Sequence, residues 1–200
     1  MIDTSKRLAF IGAVAVGLMA VAPVQAAETI IFVRHGEKPA AGLGQLSCQG
    51  LNRALALPKA LAAKFPTPTA IYAPNPADRK KDHGVAFDYV RPLATIEPTA
   101  IALGMPVDTS VGMSRFANLR RRLTHPRFRD ATVLVAWEHR QIVTVARDLL
   151  AHNGGDPATV PAWRDDDFGS IYVVTLDKGA AQFRIEQQGL DSLPAACPAT

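Results

Sequence analysis

The sequence predicts an α/β fold: a three-layer sandwich in which helices flank a mostly parallel central sheet. Three observations carry this expectation. Thr29–Val33, Ala70–Tyr72 and Ala131–Trp137 are short apolar runs bounded by polar clusters, the pattern of strands buried on both faces. Between them lie longer stretches with apolar residues at helical spacing. Strands alternating with helices are the arrangement that builds parallel sheets.

Residues 1–26 stand apart from that pattern. Lys6 and Arg7 precede an apolar run from Leu8 to Ala22, and Pro23-Val24-Gln25-Ala26 follows. A positive start, an apolar centre and a small-residue site form a secretory signal, with cleavage expected after Ala26. The apolar run is shorter than the roughly 20 residues a spanning helix needs. This predicts an exported protein, periplasmic or secreted, with one domain over residues 27–200 and no stable membrane insertion after cleavage.

The domain elements follow in order. Thr29–Val33 is a strand. Ser47 caps a helix running to Lys64, with a kink expected at Pro58. Ala70–Tyr72 is a second strand. Ala73–Val90 is polar and is expected as a long loop, the kind that in a small domain is usually functional. Leu93–Leu103 is a helix closed by Gly104. Met113–Leu123 is a basic helix, Ala131–Trp137 a strand and Gln141–His152 a helix. Ser170–Leu176 and Gln182–Gln187 are strands joined by the Asp177-Lys178-Gly179 turn.

Charge and cysteine content narrow the function classes. The whole chain has 22 Lys and Arg against 18 Asp and Glu. Removing Lys6, Arg7 and Asp3 leaves 20 against 17, too mild a balance for a nucleic-acid groove. Arg120-Arg121-Arg122, with Arg115, Arg127 and Arg129 nearby, reads as a solvated face or as an anion-attracting rim. Two cysteines exclude a disulfide-rich scaffold. In an oxidising compartment Cys48 and Cys197 are either bridged or remain separate thiols.

Ligands of open α/β sheets bind beyond the carboxyl ends of the strands. Two strands end in histidines there: Val33 runs into Arg34-His35-Gly36-Glu37, and Trp137 into Glu138-His139-Arg140. Arginine forks match phosphate oxygens, and a neutral imidazole is a nucleophile towards phosphorus. No Gly-x-x-x-x-Gly-Lys loop is present.

Ile30–Glu37 resembles the signature of the histidine phosphatase superfamily, which includes the phosphoglycerate mutases. Three further landmarks follow in that family's order. Leu46-Ser47-Cys48-Gln49-Gly50 is similar to the opening of its first helix. Arg91-Pro92-Leu93-Ala94-Thr95 is similar to its second arginine, four residues before a threonine. Val133–His139 is similar to the apolar strand ending at its second histidine. The resemblance implies that His35 takes up the phosphoryl group, that Arg34 and Arg91 hold its oxygens, and that His139 completes the pocket. Arg79 is the runner-up for the second arginine.

The chain departs from the family pattern around the proton donor. Glu138 stands where glycine is frequent, Arg140 replaces an aspartate of some branches, and Val107–Gly112 offers only Asp108. Glu138 is the expected general acid, with Glu37 and Asp88 as alternatives. Asp165-Asp166-Asp167-Phe168 reads as a solvated turn. No cofactor is expected, and no His/Asp/Cys cluster has metal-site spacing. The expected function is hydrolysis of a phosphomonoester or related phosphorylated small molecule through phosphohistidine. Its rival is a catalytically degenerate protein that binds phosphate-bearing ligands; a mutase is a weaker third reading.

Overall fold

β1 (Glu28–Arg34) alternates its side chains so that Ile30 and Phe32 enter one core while Ile31 and Val33 enter the other. A strand apolar on both faces can be stable only in the middle of a sheet, and that is where it lies. The computed structural model describes residues 27–198. The signal peptide expected at 1–26 lies outside the described residues.

The other strands are β2 (Ala70–Pro74), β3 (Arg79–Asp82), β4 (Val85–Asp88), β5 (Val107–Val111), β6 (Thr132–Trp137), β7 (Ser170–Asp177) and β8 (Ala180–Gln187). Six of them form one sheet in the order β5-β2-β6-β1-β7-β8, and β3 and β4 pair separately. β1, β2, β5 and β6 run parallel, while β7 and β8 add antiparallel pairings at one side. α1 (Cys48–Ala62) and α2 (Arg91–Leu103) cover one face through Leu57, Leu61, Ile96 and Ala100. α3 (Phe116–Leu123) and α4 (His139–His152) cover the other through Leu119, Leu123, Ile142 and Leu149. The expected three-layer sandwich is therefore the architecture.

Several local expectations change. The segment read as a loop, Ala73–Val90, holds the β3–β4 hairpin. β5 is an additional strand at the sheet edge; its sequence, Val-Asp-Thr-Ser-Val, carries too little apolar signal to be read as one. α3 starts at Phe116 instead of Met113, α2 at Arg91 and α4 at His139. α1, read as running to Lys64, ends at Ala62 and has Pro58 inside it.

Of the two cysteine alternatives, the structure has the bridge: Cys48 and Cys197 are disulfide-bonded with Cα atoms 4.4 Å apart. The arginine cluster is partly paired, with Arg120 2.6 Å from Asp148 and Arg122 4.0 Å from Asp108. No helix among the described residues is long and apolar enough to cross a membrane.

Candidate active site

The parallel register of β1 and β6 sets Arg34 opposite Trp137, and the His35 N–H bonds the Trp137 carbonyl at 3.1 Å. The segments that follow, Arg34-His35-Gly36 and Glu138-His139, therefore emerge side by side at one end of the sheet. The sheet brings the two histidine-bearing strand ends together.

His35 is buried, and its Nδ1 lies 2.8 Å from the Gly36 carbonyl. A carbonyl only accepts, so in the neutral ring Nδ1 carries the proton and Nε2 keeps its lone pair. Burial pulls the imidazole pKa down to about 3; the Gly36 bond opposes it, and smaller pulls from the charges of Arg91, Arg34 and Lys80 add to the lowering. The ring is neutral at any pH near 7, the state a nucleophile requires.

Close packing fixes this turn. The Gly36 N–H bonds Thr95 Oγ1 at 2.9 Å, and that hydroxyl donates to the Arg91 carbonyl at 2.8 Å. The loop is thereby fastened to the first turn of α2, where Arg91 stands. Ser47 caps α1 by accepting from the Gly50 N–H. A Cβ at Gly50 would collide with the Glu37 backbone, so α1 can approach the loop this closely only with glycine there.

Arg34 and Arg91 are both buried, and both are oriented by the protein. Arg34 Nη1 donates to the carbonyls of Arg164, Asp165 and Asp167, and its guanidinium lies 3.8 Å from the Phe168 ring centroid. Arg91 Nη1 donates to Asp82 Oδ2 at 2.6 Å. Each leaves its buried Nε without a hydrogen-bond partner in the protein. Burial alone would raise the Asp82 pKa. The Arg91 bond and charge, the Gly44 N–H and Lys38 outweigh it and bring the pKa to about 2, so the carboxylate stays charged.

His139 opens α4 between two carboxylates, with Nε2 2.7 Å from Asp165 Oδ1 and Nδ1 3.0 Å from Glu138 Oε1. Glu138 is buried and caps α4 by accepting from the Gln141 N–H at 3.0 Å. Burial would raise its pKa, but His139, Lys80 and that N–H hold it down at about 2. The residue expected as general acid is thus an ionised helix cap, and the structure does not favour it as a proton store. The alternatives fare no better. Glu37 is held by Arg53 at 2.7 Å, and Asp88 is exposed beside Arg79. Arg79, the runner-up for the second arginine, is also exposed, on the hairpin beside Asp88.

Four residues at the site were not read as site residues from the sequence. Lys80 and Asp82 come from the hairpin, with Lys80 Nζ 3.7 Å from Glu138. Tyr89 is fully buried, its ring 5.9 Å from the His35 ring in edge-to-face contact. Asp165, expected in a solvated turn, is exposed but reaches His139 and Arg140. Asp165 shortly precedes β7, whose antiparallel pairing beside β1 carries the chain past the carboxyl end of β1. Among the described residues no group of three or more His, Cys, Asp or Glu could hold a metal ion.

Solved structures share this architecture. Phosphoglycerate mutase from Plasmodium falciparum is 17% identical with a TM-score of 0.55, covering 88% of this chain and 99% of that one. A mycobacterial glucosyl-3-phosphoglycerate phosphatase is 14% identical with a TM-score of 0.53, over 80% and 98% of the two chains. A phosphoserine phosphatase variant from Entamoeba histolytica, in complex with phosphoserine, is 12% identical with a TM-score of 0.51, over 82% and 98%. No protein-family model matches the chain, and no curated protein matches it either. The fold is the phosphoglycerate mutase-like fold that these solved structures share.

Proposed function

We propose that this chain is an exported phosphatase that hydrolyses a phosphomonoester or related phosphorylated small molecule through a phosphohistidine on His35. The observation that carries the reading is a neutral, buried imidazole flanked by two buried arginines whose Nε–H groups have no acceptor in the protein. Buried donors without acceptors are costly, and a phosphate dianion is an acceptor of matching charge.

The reaction follows from that arrangement. The His35 Nε2 lone pair forms the N–P bond as the ester P–O bond breaks, and the departing oxygen takes up a proton. Water then forms a new P–O bond as the N–P bond breaks, and its proton is released. The net change is ester plus water to alcohol plus inorganic phosphate, with His35 neutral again. Arg34 and Arg91 stabilise the charge spread over the phosphoryl oxygens as it moves. His139 lines the pocket, oriented by Glu138 and Asp165. The fold shared with phosphatases supports this reading, and the Cys48–Cys197 bridge supports export, since disulfides persist in oxidising compartments.

The test is turnover and trapping. Purified protein incubated with p-nitrophenyl phosphate should release phosphate. Rapid quench with a ³²P-labelled ester should leave acid-labile, base-stable label on His35. His35→Ala should abolish both. Phosphate binding without turnover or label would make this a phosphate-binding protein instead.

A further inference from the structure

We propose that the Tyr89 hydroxyl is a further substrate-contacting group of this site, a neutral hydrogen-bond donor to the phosphoryl group held at His35. The inference rests on the reading of the His35 site as a phosphate site. Tyr89 is fully buried, and its hydroxyl proton has no acceptor in the protein. Buried phenol hydroxyls are normally paired. A buried donor left without an acceptor weakens the fold, so its presence calls for a compensating use.

The surroundings say what that use is. The Tyr89 N–H bonds the Asp78 carbonyl at 2.9 Å, which pins the residue just ahead of α2. Its ring meets His35 edge-on at 5.9 Å, and the Arg91 guanidinium lies 4.8 Å from the ring centroid. The charges that act on the hydroxyl are those of Arg91, Glu138 and Arg34, and the Arg91 guanidinium also lies close enough to donate to its oxygen. Guanidinium groups only donate, and the Glu138 carboxylate is already engaged by Gln141, His139 and Lys80. An oxygen of a phosphoryl group between Arg34 and Arg91 is the acceptor this hydroxyl lacks. Burial pushes its pKa far above the usual phenol value, with Arg91 and Arg34 too weak to offset it, so the proton stays on. A donor that never ionises adds a hydrogen bond without adding repulsion towards the dianion.

Tyr89→Phe separates this role from packing, because phenylalanine keeps the ring and removes only the hydroxyl. A packing role predicts unchanged activity. The proposal predicts opposite movements: kcat/KM on p-nitrophenyl phosphate falls about tenfold or more, orthovanadate binds about tenfold more weakly, and Tm rises by roughly 2–4 °C. Wild-type activity and vanadate affinity in folded Tyr89→Phe would overturn it.

A second measurement needs no substitution. With fluorotyrosine at all three tyrosines, saturating vanadate should shift the Tyr89 ¹⁹F resonance and leave Tyr172 in place; an unmoved Tyr89 resonance would count against the proposal. If the wild type binds vanadate but hydrolyses no ester, the phosphatase reading fails and the Tyr89 comparison is decided on affinity. If the wild type binds neither vanadate nor inorganic phosphate, both readings fall.

Discussion

A glutamate at a helix N-cap is an acceptor by position. Glu138 takes the Gln141 N–H, sits 3.0 Å from His139 Nδ1 and 3.7 Å from Lys80 Nζ, and has a pKa held near 2. To hand a proton to a leaving oxygen at neutral pH, its pKa would have to climb back past the ordinary value while those donors remain. Glu138→Gln should therefore lower kcat/KM about tenfold, equally on p-nitrophenyl and alkyl phosphates, through a looser hold on His139. A loss confined to alkyl phosphates would restore the general-acid role. At this scale Arg34, His35 and His139 were legible because each stands at the end of an apolar strand, and Arg91 was found only through the resemblance of Arg91–Thr95 to the family pattern. Tyr89, Lys80, Asp82 and Asp165 were not, because nothing in their spacing reports that the chain folds them back onto those four.

Two four-residue strands, Arg-Lys-Lys-Asp and Val-Ala-Phe-Asp, are too charged and too short for periodicity to mark them, which is why the β3–β4 hairpin read as loop. A lone two-stranded ribbon is marginal in water, so something must hold it. Asp82 does: it binds Arg91 Nη1 at 2.6 Å, Lys38 Nζ at 3.3 Å and the Gly44 N–H at 3.3 Å. A Cβ at Gly42, whose φ is +79°, would strike the Asp82 side chain. The same ion pair orients Arg91 and docks the element that carries Lys80. Asp82→Asn leaves Arg91 buried without its counter-charge, which should cost about 3 kcal/mol. It should also lower kcat/KM at least about tenfold, because the arginine is less well aimed. The pH dependence has a definite sign. The Asp82 pKa is lower folded, near 2, than unfolded, so its contribution is complete above roughly pH 4 and is lost as acid approaches 2. The Tm gap between wild type and Asp82→Asn should stay constant from pH 7 to 5 and narrow below 4. A gap that persists unchanged at pH 3 would mean the loss is steric.

Over the whole molecule, the sandwich was legible because Ile30 to Val33 and Val133 to Ala136 are apolar at every position, which only a sheet covered on both faces accommodates. The strand order was not, since the turn joining β7 and β8 marks a hairpin without reporting that β7 pairs antiparallel beside β1. The tail beyond β8 carries no periodic signal at all. It returns to the start of α1, where Asn52 Nδ2 donates to the carbonyls of Pro194 and Ala196 and where Cys197 meets Cys48 across 149 residues of chain. A cross-link of that span removes much freedom from the unfolded chain; the chain-entropy account allows up to about 5 kcal/mol, and measured effects are usually smaller. α1 is also the helix packed against the Gly36-Glu37 turn, but Arg53–Glu37 and the Gly50 contact hold that junction without the bridge. Stability and activity should therefore separate. Native, untreated protein should show no titratable thiol. Cys197→Ser should lower Tm by several degrees while leaving kcat/KM at 25 °C within about twofold of wild type. Two free thiols in the native protein, or a Tm that ignores the substitution, would overturn the structural role. A large fall in kcat/KM at 25 °C would show that the tail, through α1, also helps hold the turn that carries His35.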